Sequence, residues 1–230
     1  MDLSLGPEEW EVIALSLKVS AVAVGATLPA AFVLAWLLAR GRFPGRIVLD
    51  ALVHLPLVLP PVVTGWLLLI AFGSEGPAGR WFEDWLGITF MFRWTGAALA
   101  AAVMALPLVV RAMRLSIEAV ARRREDAART LGASRARTFA TITLPLALPG
   151  VLAGAVLGFA RSLGEFGAAS FLARVGSPTV PVQIVRLLGR PGEQSVGVAA
   201  VLAVVLVVLT LTLVLAVDRL GRGLRRGQAA

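Results

Sequence analysis

Five long apolar runs constrain this chain more than any other feature of its sequence. They cover residues 11–39, 47–72, 94–116, 142–163 and 195–218. A helix needs about 20 consecutive apolar residues to cross the hydrocarbon core of a bilayer, and every run reaches that length. Hydrophobic residues make up 58% of the chain, which exceeds the roughly 45–50% of soluble domains. The sequence therefore predicts an all-α integral membrane protein, with residues 1–230 forming a single transmembrane domain.

Clusters of arginine indicate which side of the membrane each loop occupies. They lie at residues 40–46, 111–137 and 219–226, each beside the end of an apolar run. The positive-inside rule places all three clusters in the cytoplasm. This predicts an external N-terminus, a cytoplasmic C-terminus and five crossings. Residues 164–194 then begin and end outside as a re-entrant or gate-like segment, although a sixth crossing there stays open.

The composition excludes several classes of function. The chain has no Cys and one His, so it offers neither thiolate chemistry nor a His/Cys metal cluster. The net charge of +8 lies beside apolar runs, where it encodes topology, so a lipid bilayer rather than nucleic acid is the expected partner. Asp50 and His54 stand one turn apart on the second run. We expect a packing role for His54 and assign it no function.

The segment between the third and fourth runs carries a pattern of small residues inside a charged stretch. A charged helix is predicted from Glu118 to Arg129, ending before Gly132. Small side chains at Ala127 and Ala128 would let a partner approach closely, and glycine readily adopts the positive φ that ends a helix. On these residues alone an ordinary basic topological loop is the expected interpretation, although the small residues and the glycine also suit a docking element.

The spacing of this segment resembles the EAA loop of ABC-importer permeases. Their pattern is E-A-A, three residues, G, nine residues, then I-x-L-P. Here Asp126 replaces the Glu, Gly132 and Pro145 fall in register, and Glu125 precedes the motif. The resemblance implies a type I importer permease fold with a cytoplasmic coupling loop at residues 118–140. The residues that it assigns to ATPase docking are Glu125, Asp126, Ala127, Ala128, Leu131, Gly132 and Ala133.

Two further stretches resemble the molybdate branch of this family. They are the proline-rich residues 55–65 (LPLVLPPVVTG) and residues 160–168 (ARSLGEFGA). The resemblance implies a molybdate permease that forms a homodimer with two ABC ATPase subunits, an external substrate-binding protein and a place in a bacterial or archaeal cytoplasmic membrane. We expect Glu165 to pair with Arg161 one turn earlier. The candidate pathway and gate residues are Pro56, Pro60, Pro61, Thr64, Ser162, Gly164, Glu165, Phe166 and Gly167.

The chain carries no phosphate-binding G-x-x-x-x-G-K-[ST] loop, and its only lysine, Lys18, lies in the first apolar run. We therefore expect no enzymatic site and no cofactor of its own, with ATP bound by the partner subunit. Three alternatives stay open. They are a sulfate, thiosulfate or tungstate permease of the same family, a passive channel subunit, and an intramembrane hydrolase using Ser162 and His54. The last is disfavoured because those two residues lie near opposite ends of their helices.

Overall fold

The computed structural model describes residues 5–172 and 178–227, whose regular elements are all helices. The element order is α1 (Pro7–Arg40), α2 (Arg46–Val58), α3 (Pro61–Phe72), α4 (Pro77–Leu86), α5 (Trp94–Ala119), α6 (Arg122–Thr130), α7 (Arg135–Thr138), a π-helical turn (Phe139–Thr143), α8 (Leu144–Leu163), α9 (Ala169–Leu172), α10 (Val180–Leu188) and α11 (Glu193–Gly227). The predicted all-α class is confirmed.

Four stretches within these residues are long and apolar enough to cross a membrane, namely Pro7–Arg40, Trp94–Ala119, Arg135–Leu163 and Glu193–Ala216. Together α2 and α3 supply a fifth candidate, but they meet at an angle of 116°. Pro60 and Pro61 explain the break, because a proline disfavours helical backbone in the residue before it and cannot donate a backbone hydrogen bond. Leu59 is accordingly extended, with φ −71° and ψ 141°. The five predicted runs and the kink in the second are present.

Helix α5 lies at the centre of the fold, packed against both α1 and α8. Its fully buried Val109, Met113 and Ile117 form a core with Leu38 of α1 and Val53 of α2. One face of α8 carries a glycine every fourth residue and lies directly on α5; these glycines are Gly150, Gly154 and Gly158. Small residues at this spacing allow helix backbones to approach closely in a membrane, where van der Waals contact drives packing. The three helices α1, α5 and α8 therefore form the packed centre of the described residues.

The segment between α8 and α11 holds two short helices among its described residues, of four and nine residues. The longer one, α10, rises only about 14 Å, which is far less than a bilayer core. Its Val180 and Leu187 pack with Val12 of α1 and Leu202 of α11. Neither helix forms the sixth crossing that the sequence left open. Residues 173–177, which fall in the predicted gate-like excursion, lie outside the described residues.

The charged helix predicted from Glu118 to Arg129 is divided in the structure. Helix α5 continues to Ala119, and α6 begins at Arg122 after an extended turn at Val120 and Ala121. The backbone N–H of Val120 bonds to the carbonyl oxygen of Ile117 at 3.2 Å, which closes α5. The prediction of one continuous helix is therefore wrong, because the helix is interrupted between Ala119 and Arg122. The interruption determines which face of α6 lies against the spans.

Candidate functional site

Helix α6 and the turn after it form the centre of the candidate docking loop. Gly132 has φ +87°, the left-handed conformation predicted for it. The N–H of Gly132 bonds to the carbonyl of Arg129, and the N–H of Ala133 bonds to that of Ala128, both at 3.0 Å. This pair of bonds is the Schellman arrangement, which satisfies the last carbonyls of a helix without side chains. The turn therefore fixes where the chain leaves α6.

The residues assigned to docking lie mostly on the outer face of this loop. Asp126, Ala127, Leu131 and Gly132 are exposed, while Ala128 and Ala133 are half-buried. Leu131 stands out because 89% of its surface is exposed. The protruding side chain of Leu131 lies beside the small side chains of Ala127 and Ala128. An exposed apolar group next to small residues is typical of the apolar centre of an interface.

Glu125 differs from the other docking residues, since it is the only buried residue among the nine of α6. Its Oε1 accepts hydrogen bonds from Arg40 Nη2 at 3.1 Å and from Thr143 Oγ1 at 2.8 Å. Both partners belong to the membrane-spanning part of the fold. The carboxylate therefore faces the spans, opposite to the surface offered to a partner. The sequence pattern placed Glu125 among the docking residues. Its burial against the spans corrects this assignment, so Glu125 is not part of the exposed docking face.

The two stretches predicted to line a pathway lie against each other. A Cβ atom built on Gly65 of α3 would stand 2.8 Å from the Cα of Ala168, and one built on Gly167 would stand 2.5 Å from the Cβ of Pro61. Real Cβ atoms do not come this close, so both glycines are needed for the contact. The structure thus brings the 55–65 and 160–168 stretches together at the C-terminal end of α8.

Glu165 lies in the turn after α8 and is only 3% exposed. Its Oε2 is 2.6 Å from Arg161 Nη1, so the predicted ion pair is present. Its Oε1 accepts a hydrogen bond of 2.8 Å from the backbone N–H of Ala168. The carboxylate therefore joins the end of α8 to the residue that contacts Gly65. Its charge is balanced by that of Arg161.

Replacing Glu165 by alanine is expected to lower the free energy of unfolding by about 2–4 kcal/mol, because Arg161 would lose its carboxylate and the buried N–H of Ala168 would lose its acceptor. Glu83→Ala is the matched control, since Glu83 is an exposed acid in α4 and its removal should cost under about 0.5 kcal/mol. Thermal unfolding of the two variants in the same detergent measures the difference. Equal melting temperatures would contradict the structural role.

The other predicted pathway residues divide into two groups. The hydroxyls of Thr64 and Ser162 are both buried, at 5% exposure. Thr64 Oγ1 lies 3.5 Å from the carbonyl oxygen of Pro60, whereas Ser162 Oγ has no hydrogen-bond partner among the described residues. The remaining members are half-buried or exposed around the bend and the turn; they are Pro56, Pro60, Pro61, Gly164, Phe166 and Gly167.

Asp50 and His54 lie on α2 against α5, beside a cleft of about 310 Å³. Both carboxylate oxygens of Asp50 accept from Arg114 Nη1 at 3.1 Å. The Nδ1 of His54 lies 2.8 Å from the carbonyl oxygen of Asp50, which fits the packing role expected for this histidine. Sequence reasoning missed the pairing of Arg114 with Asp50, for which the only signal was a cation inside the third apolar run.

Within the described residues no group of His, Cys, Asp and Glu is arranged to hold a metal ion.

Comparison with known proteins supports the interpretation of this geometry. The model of the family described as binding-protein-dependent transport system inner membrane component matches residues 28–226. The molybdenum transport system permease protein ModB of Escherichia coli (strain K12) is 55% identical over 190 residues, covering 81% of this chain and 83% of that protein. The sulfate transport system permease protein CysT of the same strain is 37% identical over 222 residues, covering 92% and 79% respectively.

Among solved structures, a bacterial ABC transporter involved in the import of alginate aligns with a TM-score of 0.73. The alignment covers 95% of this chain and 80% of that one at 18% sequence identity, which shows a common fold. This confirms the importer-permease fold that the loop pattern implied. With a family match over residues 28–226, the chain belongs to the family of binding-protein-dependent transport system inner membrane components.

Proposed function

We propose that this chain is the membrane-spanning permease subunit of an ATP-driven importer for molybdate. The observation that carries the proposal is its 55% identity, over most of its length, to a molybdenum transport permease. The coupling loop adds support, because an exposed leucine beside two small residues on a cytoplasmic helix suits a partner that docks there. The chain would form the pathway, and the partner would supply the energy.

The complex that this function requires has several parts. Two copies of the chain form a homodimer, two ABC ATPase subunits bind ATP at the coupling loops, and an external protein delivers the anion. The absence of a phosphate-binding loop from the sequence supports the assignment of ATP to a partner. The arginine clusters support an external N-terminus and a cytoplasmic C-terminus in a multi-pass inner membrane protein. The docking face comprises Asp126, Ala127, Ala128, Leu131, Gly132 and Ala133.

The pathway lies along the bend between α2 and α3 and the turn after α8. Consecutive prolines at 60 and 61 leave backbone carbonyls of α2 without their usual helical donors, and such groups at membrane depth need protein or water around them. The buried hydroxyl of Ser162, which has no partner among the described residues, supplies a neutral donor, and Thr64 would supply a second one on releasing the carbonyl oxygen of Pro60. Neutral donors suit a transit site for a dianion, since strong binding there would slow its release. Gly164 and Gly167 flank Glu165 and would allow this turn to move as a gate.

Sulfate is the second candidate substrate, because the chain is also 37% identical to a sulfate permease. The difference of 18 percentage points, 55% minus 37%, favours molybdate. Tungstate has the same charge and tetrahedral shape as molybdate, so shape and charge alone do not separate these two anions.

The test is ATP hydrolysis by the complete complex, reconstituted in lipid with its ATPase and its own binding protein. Molybdate is expected to stimulate hydrolysis at lower concentration than sulfate. Stimulation by sulfate but not by molybdate would overturn the substrate assignment. The transport function would be overturned if no oxyanion changed the rate of ATP hydrolysis and labelled molybdate did not enter the vesicles.

A further inference from the structure

One face of α1 carries three side chains that reach the coupling loop. Phe32, Trp36 and Arg40 are spaced by four residues, so they stack along one side of the helix. The ring of Phe139, at the start of the π-helical turn, lies edge-on to Trp36 at 5.0 Å and to Phe32 at 6.0 Å between centroids. Arg40 completes the row by its ion pair with Glu125. The loop is therefore held against α1 at both of its ends.

Arg40 joins three elements through one nitrogen. Its Nη2 donates to the carbonyl oxygens of Ile117 at 3.1 Å and Val120 at 2.8 Å, as well as to Glu125. Ile117 lies in the last turn of α5 and Val120 directly follows the helix, so the cation stands at the negative end of the helix dipole. A single side chain of α1 thus closes α5 and holds α6 in place.

Glu125 receives a second bond from the start of α8. Thr143 ends the π-helical turn that leads into α8, is itself 1% exposed, and donates to the same carboxylate oxygen as Arg40. The side chains of Glu125 and Arg40 are only 11% and 13% exposed. Charge-assisted hydrogen bonds are stronger and more directional when water is excluded.

We propose that Arg40, Glu125 and Thr143 form a coupling junction, which carries movement of α6 into the membrane-spanning helices. This inference rests on the proposed function, in which an ATPase moves α6. The three residues are positioning residues, because they act through their contacts with one another and with the end of α5. Glu125 is the single buried residue of α6, and its carboxylate joins that helix by side-chain hydrogen bonds to the end of α1 and to the turn that leads into α8.

Variants that remove one hydrogen bond of the junction distinguish a purely structural role from a role in transmission. The measurements that separate the two are assembly of the complex, basal ATP hydrolysis and stimulated ATP hydrolysis. A folding defect would lower assembly, basal hydrolysis and stimulated hydrolysis together. Loss of transmission would leave an assembled complex that hydrolyses ATP but no longer responds to the loaded binding protein. Coupling between distant sites is commonly worth 5- to 150-fold, or about 1–3 kcal/mol.

The experiment uses the reconstituted complex of full-length permease, ATPase and binding protein loaded with molybdate. Glu125→Ala is expected to retain ATPase capture and basal hydrolysis, while the ratio of stimulated to basal hydrolysis falls about fivefold or more. Glu125→Gln should restore an intermediate ratio, because its amide oxygen still accepts from Arg40 and Thr143. Glu118→Ala is the control. Glu118 is an exposed carboxylate near the end of α5 that pairs with Arg114, and its removal should leave the ratio unchanged.

A second variant keeps the proposal falsifiable if Glu125→Ala does not assemble. Thr143→Val preserves the shape of the side chain and removes only its bond to Glu125, and a severalfold fall in the same ratio is expected. An unchanged ratio in Thr143→Val, or a loss of basal hydrolysis as large as the loss of stimulated hydrolysis, would overturn the coupling junction. Failure of the unaltered permease to capture any ATPase would instead overturn the proposed function.

Discussion

Replacing both Ala127 and Ala128 by arginine is expected to abolish capture of the ATPase and, with it, uptake of the anion. The two alanines lie on the outer part of α6, one exposed and one half-buried, next to the exposed Leu131. Two guanidinium groups would hold a partner away from this flat patch, and burying them without partners costs about 2–5 kcal/mol. That cost corresponds to a loss of affinity of roughly 30-fold to several thousand-fold.

Co-purification of the ATPase with the tagged permease measures this loss directly. Ala136→Arg is the control for an added guanidinium, since it places one arginine at an exposed alanine of the same loop, in α7 rather than in α6. Capture should survive in the control. If the Ala127 and Ala128 double variant still bound the ATPase and supported uptake, the docking assignment of α6 would be refuted.

Gly65→Ala is expected to disrupt the contact between α3 and the turn after α8. The added Cβ would meet the backbone of Ala168, with 2.8 Å to its Cα and 2.9 Å to its carbonyl oxygen. Backbone atoms cannot rotate away as a flexible side chain can, so the two segments must separate. Overpacking of this kind lowers stability by about 1–3 kcal/mol, even though alanine favours a helix by about 1 kcal/mol over glycine. The rate of uptake is expected to fall by more than the loss of folded protein alone explains, because the two proposed pathway stretches meet at this contact.

Gly25→Ala provides an internal control for this experiment. Gly25 also lies within a helix, but a Cβ atom built there has no neighbour within 4 Å. It gains the same helix propensity without a clash, and its stability should be unchanged or higher by up to about 1 kcal/mol. Thermal unfolding and vesicle uptake are measured for both variants. The comparison separates the effect of the clash with Ala168 from the effect of the higher helix propensity of alanine. Identical behaviour would show that the approach of α3 to Ala168 matters for neither.

The positions of the spans could be predicted from sequence because length and apolar composition are local properties. The same holds for Gly132, whose place after α6 fixed its left-handed conformation in advance. The prolines of the second run predicted a kink but not its angle. A proline removes hydrogen bonds without setting a direction, and here close packing of Gly65 on Ala168 accompanies the bend of 116°.

The direction of Glu125 could not be read from the motif. Which side of a nine-residue helix faces inward depends on where that helix begins, and the break after Ala119 lies within a stretch whose composition favours a continuous helix. The partner that turns the carboxylate inward is Arg40, which is 85 residues away in the sequence. Arg40 belongs to the arginine cluster at residues 40–46, whose presence was already explained by the positive-inside rule. Only the packing of α1 against α5 reveals its second role.

The turn at Gly132 has a consequence for how such permeases diverge. Because its hydrogen bonds at Gly132 and Ala133 come from the backbone alone, the turn demands little of neighbouring side chains beyond the glycine. The outward side of α6 can therefore change its chemistry while the path of the chain stays the same. Residues on the exposed face of this loop can therefore be exchanged to change which partner it accepts, with no change to the packing of the long apolar helices.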